Sequence, residues 1–123
     1  MPCPRGRTVA DPPAEAFDVT GLARAQAEQH GRTGELYLEF LRRDALSCGL
    51  YVLEAGATDP QQPHREDEVY VVLHGRARLD VAGQDHPVGP GGILFVAREA
   101  PHHFHDIRER LEVLVFFAPA ETA

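Results

Sequence analysis

With 123 residues, a formal net charge of −7 and no basic run, the chain is sized for one domain whose core needs no disulfides. It is a poor match to nucleic acid, whose binding rests on clustered Lys and Arg. No apolar run approaches the roughly 20 residues of a membrane span.

Residues 1–16 are rich in Pro and Arg without periodicity and are expected to form a flexible N-terminal arm. They lack the apolar stretch of a signal peptide. Residues 17–33 hold a short helix, with Thr20 or Asp18 as its cap and Gly31 as its end. From residue 34 to 119 the pattern is β. Short runs rich in Val, Leu, Tyr and Phe fall at 35–41, 46–56, 67–73, 77–82, 93–97, 102–106 and 111–117. Turn signals separate them. Seven or eight short strands at this spacing predict an all-β sandwich or barrel with one short N-terminal helix. The two cysteines, Cys3 and Cys48, make no disulfide framework. Cys48 reads as a small buried hydrophobe, and a reducing, cytoplasmic setting is expected.

Chemistry concentrates in two stretches. In DPQQPHREDEVYVVLHG (59–75), Gln62, His64 and Glu68 sit at even offsets. On extended chain, residues two apart face the same way. If that face turns inward, Gln62, His64 and Glu68 meet, and Glu66 and Asp67 stay in the solvated turn. In APHHFHD (100–106), His102, Phe104 and Asp106 share one face, and His103 and His105 the other. Phe104 reads as core, so His102 points inward with it. His64, Glu68 and His102 then make a two-histidine, one-carboxylate set suited to a divalent transition metal (Fe, Mn, Ni, Zn or Co). The plain alternative is that His64 and Glu68 form a surface ion pair. Tyr70 and Phe104 are expected to line the cavity around any metal. No separate acid–base residue stands out: Tyr51, Tyr70 and Glu99 are the polar candidates near the mouth. His74 and His86 read as solvated turn residues, and Gly75 and Gly91 as turns that need positive φ.

These stretches resemble the two motifs of the cupin superfamily. The first, H-x-H-x3-E-x6-G, reads here Gln62-x-His64-x3-Glu68-x6-Gly75. The second, G-x5-P-x-G-x2-H-x3-N, reads Gly91-x5-Ala97-x-Glu99-x2-His102-x3-Asp106. The intermotif segment, 76–90, is short, as in compact single-domain bacterial cupins. The resemblance implies a jelly-roll β-barrel and metal-ligand roles for His64, Glu68 and His102. Gln62 stands where the first histidine would be, to ligate through its carbonyl oxygen, to hold a water, or to stand off.

Three functions fit: a metal-dependent enzyme on a small organic molecule (a dioxygenase, isomerase or lyase), a ligand-binding or sensing barrel, and a structural barrel with a vestigial site. The last strand is apolar on both faces. A homodimer through edge strands near 35–55 and 110–117 is therefore expected.

Overall fold

The computed structural model describes residues 12–122, so most of the expected arm lies outside the described residues. One helix precedes six strands: α1 (Val19–Thr33), β1 (Tyr37–Arg42), β2 (Ser47–Leu53), β3 (Asp67–Val81), β4 (Gln84–Val88), β5 (Ile93–Val96) and β6 (His102–Ala118).

Asp18, not Thr20, caps α1. Its backbone is extended and its carboxylate accepts from Thr20 N and Gly21 N. The helix runs through Gly31 and stops three residues later. Gly34 takes the left-handed conformation (φ 78°) and donates to His30 O, the backbone closure that glycine permits without steric cost. The helix lies against β1 and β2. Gln26 and Gln29 donate their side-chain amides to the carbonyls of Leu36 and Tyr37.

The strands are antiparallel in the order β1-β2-β6-β3-β4, with β5 also on β3. Two long strands replace four of the short ones expected. The runs at 67–73 and 77–82 are one strand, β3. Those at 102–106 and 111–117 are one strand, β6. Each bends at a bulge, and each bulge shifts which residues face inward. In β3, Glu68, Tyr70 and Val72 are buried before Gly75, and Ala77 and Leu79 after it. In β6, His102 and Phe104 are buried before Asp106, and Leu111, Val113, Val115 and Phe117 follow on the other parity. An extra residue in one strand has this effect because side chains alternate with period two.

Gly75 is the β3 bulge. Its φ is 97°, and a Cβ there would lie 2.3 Å from Arg110 O on β6. It is a mid-strand bend, not a connecting turn. Asp106, with φ 48°, is the matching irregularity on β6. It is exposed although its spacing places it with His102 and Phe104.

The inner residues form one core in which Tyr70 and Phe104 stack edge to face, centroids 4.9 Å apart. A fully buried side chain of this size contributes roughly 1.5–3 kcal/mol. β6 pairs with both β2 and β3, so it is central and offers no edge. Of the two segments expected to pair two copies, only β1 borders the sheet. Cys48 is free and buried. No described helix is long and apolar enough to cross a membrane.

Candidate metal centre

Glu68 enters the barrel from the start of β3 and His102 from the start of β6. His64 comes from the irregular segment that precedes β3. One ligand atom from each lies within 4.8 Å of the others. His102 Nε2 is 3.2 Å from Glu68 Oε1, and His64 Nε2 is 4.0 Å from the same oxygen. Glu68 and His102 are 2% and 5% exposed. The structure thus brings together three of the four residues that the motifs single out.

The far side of each imidazole sets its tautomer. His102 Nδ1 is 2.9 Å from Ala100 O, a carbonyl that can only accept. His64 Nδ1 is 3.2 Å from Glu121 Oε2. With a proton on each Nδ1, both Nε2 atoms turn a lone pair inward. Metal-ligating histidines carry this kind of outer support. Glu68 Oε1 and His102 Nε2 are buried with no hydrogen-bond partner. Their 3.2 Å approach is a contact of two lone pairs unless a cation sits between them. Two imidazole nitrogens and a carboxylate oxygen converge, and with His102 Nε2 and Glu68 Oε1 left unpartnered the set fits a divalent first-row ion.

Without a metal, the cation is a proton. Burial favours the neutral ring at His64, but the bond to Glu121 and the charge of Glu68 outweigh it, and its pKa stands above the ordinary value. At His102, burial is likewise outweighed by Glu68 and the Ala100 carbonyl.

Gln62 is exposed and lies at the cavity rim. Its neighbour Gln61 reaches the site instead, with Oε1 3.3 Å from His64 Nε2 and accepting from Tyr70 Oη at 3.0 Å. The even-offset rule misplaces these two because no strand forms between Glu54 and Glu66. Spacing does not single out Asp59 either. It is buried and takes four donors: Tyr51 Oη, Gln61 N, Gln61 Nε2 and Phe104 N.

Glu66 is not a solvated turn acid. It is 3% exposed and accepts from Thr122 N and Oγ1. This bond anchors the C-terminal segment that carries Glu121 to His64. Asp67 is exposed and accepts from Arg98 N. His103 is exposed, and His105 pairs with Asp85 on the outside.

A cavity of about 620 Å³ opens beside His64 and Glu68, with Leu36, Tyr37, Tyr51, Tyr70, Val115 and Phe117 in its wall. Tyr70 is in the wall. Phe104 is not: it is core behind Tyr70. Burial, followed by the charge of Glu68, pushes the Tyr70 hydroxyl well above its usual range, so it stays a neutral donor.

The family described as Cupin domain matches residues 49–117, over half of the chain. The chain is a cupin. An uncharacterized protein of Streptomyces coelicolor, SCO3923, is 45% identical over 101 residues, 82% of this chain and 95% of that protein. Among solved structures, salicylate 1,2-dioxygenase of Pseudoaminobacter salicylatoxidans (a single-site mutant) superposes on this cupin with a TM-score of 0.72 at 15% identity, over 83% of this chain and 35% of that one. The DMSP lyase DddQ of Ruegeria pomeroyi gives 0.61 at 21% identity, over 71% and 49%. The chain spans about half the length of that lyase. At these identities the likeness shows the fold: a small barrel of the cupin type with one short N-terminal helix.

Proposed function

We propose that this cupin holds one divalent transition metal on His64, Glu68 and His102 and uses it for chemistry on a small, largely apolar organic molecule in the adjoining cavity. One observation carries the reading. The inward atoms of Glu68 and His102 are buried without a partner, and leaving such groups unmatched costs roughly 1–3 kcal/mol each. A bound ion would supply Lewis-acid polarisation of a substrate oxygen, or redox chemistry if it is iron.

The chain's own groups divide the remaining work. Leu36, Val115 and Phe117 offer apolar wall to the molecule and exclude water. Tyr51, held by Asp59, and Tyr70, donating to Gln61, keep their protons. Glu121 fixes the ring of His64. A cavity of about 620 Å³ is within the range of small-molecule sites. The reaction classes that suit such a site are dioxygenase, isomerase and lyase. The names of the dioxygenase and the lyase above support the first and last without choosing between them.

The test loads apo protein with Fe(II), Mn(II), Ni(II) or Zn(II) in turn and screens small organic molecules for turnover and oxygen uptake. Turnover with one metal, lost in Glu68→Gln, is the expected result. Retention of none of the four metals would end the proposal. Metal retention without turnover would shift the reading to a binding or sensing cupin.

We also propose that two copies pair in solution. Ile93 and Phe95 are 73% and 63% exposed on the outer face of β5, beside half-buried Val69 and Val71 of β3. A monomeric mass by light scattering at micromolar concentration would contradict this.

A further inference from the structure

The three ligands leave the donor set short of the position where the first cupin motif carries another histidine. The sequence offers Gln62 there, but its side chain is exposed. We propose that Gln61 supplies the missing donor through its carbonyl oxygen, and that Asp59 is the positioning residue that aims it. This rests on the metal reading above.

The orientation of an amide depends on what its two ends meet. Gln61 Nε2 lies 2.6 Å from Asp59 Oδ2, and Gln61 N lies 3.2 Å from Asp59 Oδ1. A carboxylate only accepts, so the NH2 end must face Asp59. Oε1 is thereby turned towards the site. Asp59 itself cannot swing away. It is buried, and Tyr51 Oη at 2.5 Å and Phe104 N at 2.9 Å also hold it.

Once aimed, Gln61 Oε1 sits 3.3 Å from His64 Nε2. Ligand bonds of roughly 2.0–2.2 Å place neighbouring donors about 3.0–3.5 Å apart around one ion, so this separation suits adjacent ligands. Metal binding requires a neutral His64 ring; with its proton on Nδ1 towards Glu121, Nε2 and Gln61 Oε1 would then both turn lone pairs to one ion. Tyr70 Oη donates to the remaining lone pair of Gln61 Oε1 at 3.0 Å, which leaves one lone pair of the oxygen for an ion. A neutral carbonyl adds a donor without charge. The set would carry the single negative charge of Glu68 against the two positive charges of the metal, leaving room for an anionic substrate group.

The test follows zinc into ¹⁵N-labelled apo protein by the side-chain amide resonances of Gln61 and Gln62, with affinity measured by chelator competition. The Gln61 NH2 pair is expected to move stoichiometrically with zinc while that of Gln62 stays. Gln61→Leu should weaken zinc roughly ten-fold or more and Asp59→Asn should weaken it in the same direction, with Gln62→Leu changing it less than about two-fold. The resonance measurement uses unsubstituted protein, so it decides the matter even if a variant fails to fold. Zinc bound at full affinity with Gln61 resonances unmoved would overturn the proposal and leave the three-ligand site standing. Wild-type protein that binds neither zinc nor Fe(II), Mn(II) or Ni(II) would overturn the metal reading itself; if one of those binds in place of zinc, chelator competition with Gln61→Leu makes the same test with that ion.

Discussion

Replacing Gly75 with alanine tests whether the bulge in β3 builds the barrel. The cost has two parts. An L-residue at φ 97° lies in the left-handed half of backbone space, a penalty of roughly 1–2 kcal/mol. The new Cβ would also sit 2.3 Å from Arg110 O, 2.7 Å from Leu111 Cα and 2.8 Å from Arg110 C. These are backbone atoms of β6, so relief requires the strand to move and the β3–β6 ladder to loosen. Together the two parts should cost about 3–5 kcal/mol. Unfolding entropy of about 2.1 cal/mol/K per residue over 123 residues converts that to a fall in Tm of about 12–19 °C. Gly83 provides the control. Its φ is 87°, but nothing lies within 4 Å of the point a Cβ would occupy, so Gly83→Ala should show the conformational part alone. The assay is thermal unfolding of both variants by circular dichroism. Equal losses in the two would refute the claim that the close approach of β6 requires glycine at position 75.

Three further outcomes are expected. His64 and His102 have folded pKa values raised above the ordinary histidine value; their stabilisation of apo protein is complete below a pH of about 6.5 and is lost as pH rises through the folded values. The Tm contribution of these histidines, taken against His64→Ala and His102→Ala, should therefore fall from mildly acid to mildly alkaline pH while metal affinity rises with proton release; a contribution that grows over that window contradicts the assignment. Glu121→Ala removes the partner of His64 Nδ1 and should weaken metal binding roughly 10–100-fold in a chelator competition, with stoichiometry restored at high metal. Phe104→Ala should cost about 3–5 kcal/mol in denaturant unfolding, because the side chain is 1% exposed in the core and not in the cavity wall.

The barrel strands, and the inward faces of Glu68 and His102, were legible in the sequence because they depend on local alternation; His64, in irregular chain, was legible through its spacing to Glu68. His64 and Glu68 lie in one motif, and His102 shares a face with Phe104 as its spacing requires. What was hidden depends on distant chain. The parity change at Gly75 is tied to the backbone of Arg110, so the alternation within 67–73 and 77–82 reads as two strands when it is one bent strand. Asp106 leaves the inner face by the same device on β6. Glu66 is buried by Thr122, a partner that nothing near residue 66 announces. Gln61 and Gln62 exchange roles because the segment before β3 is irregular, where period-two reasoning has no purchase. Gly31 does not stop the helix, because a glycine inside a helix costs only about 1 kcal/mol; it ends at Gly34, where the left-handed backbone closes onto His30 O.

The central claim is that His64, Glu68 and His102 form a metal site. Metal content measured by elemental analysis, on wild-type protein and on His64→Ala and His102→Ala after identical reconstitution and dialysis, tests it most directly. One divalent transition-metal ion per wild-type chain, lost from both variants, is the expected result. Wild-type protein that retains no metal after reconstitution, or variants that retain it as fully as wild type, would contradict it.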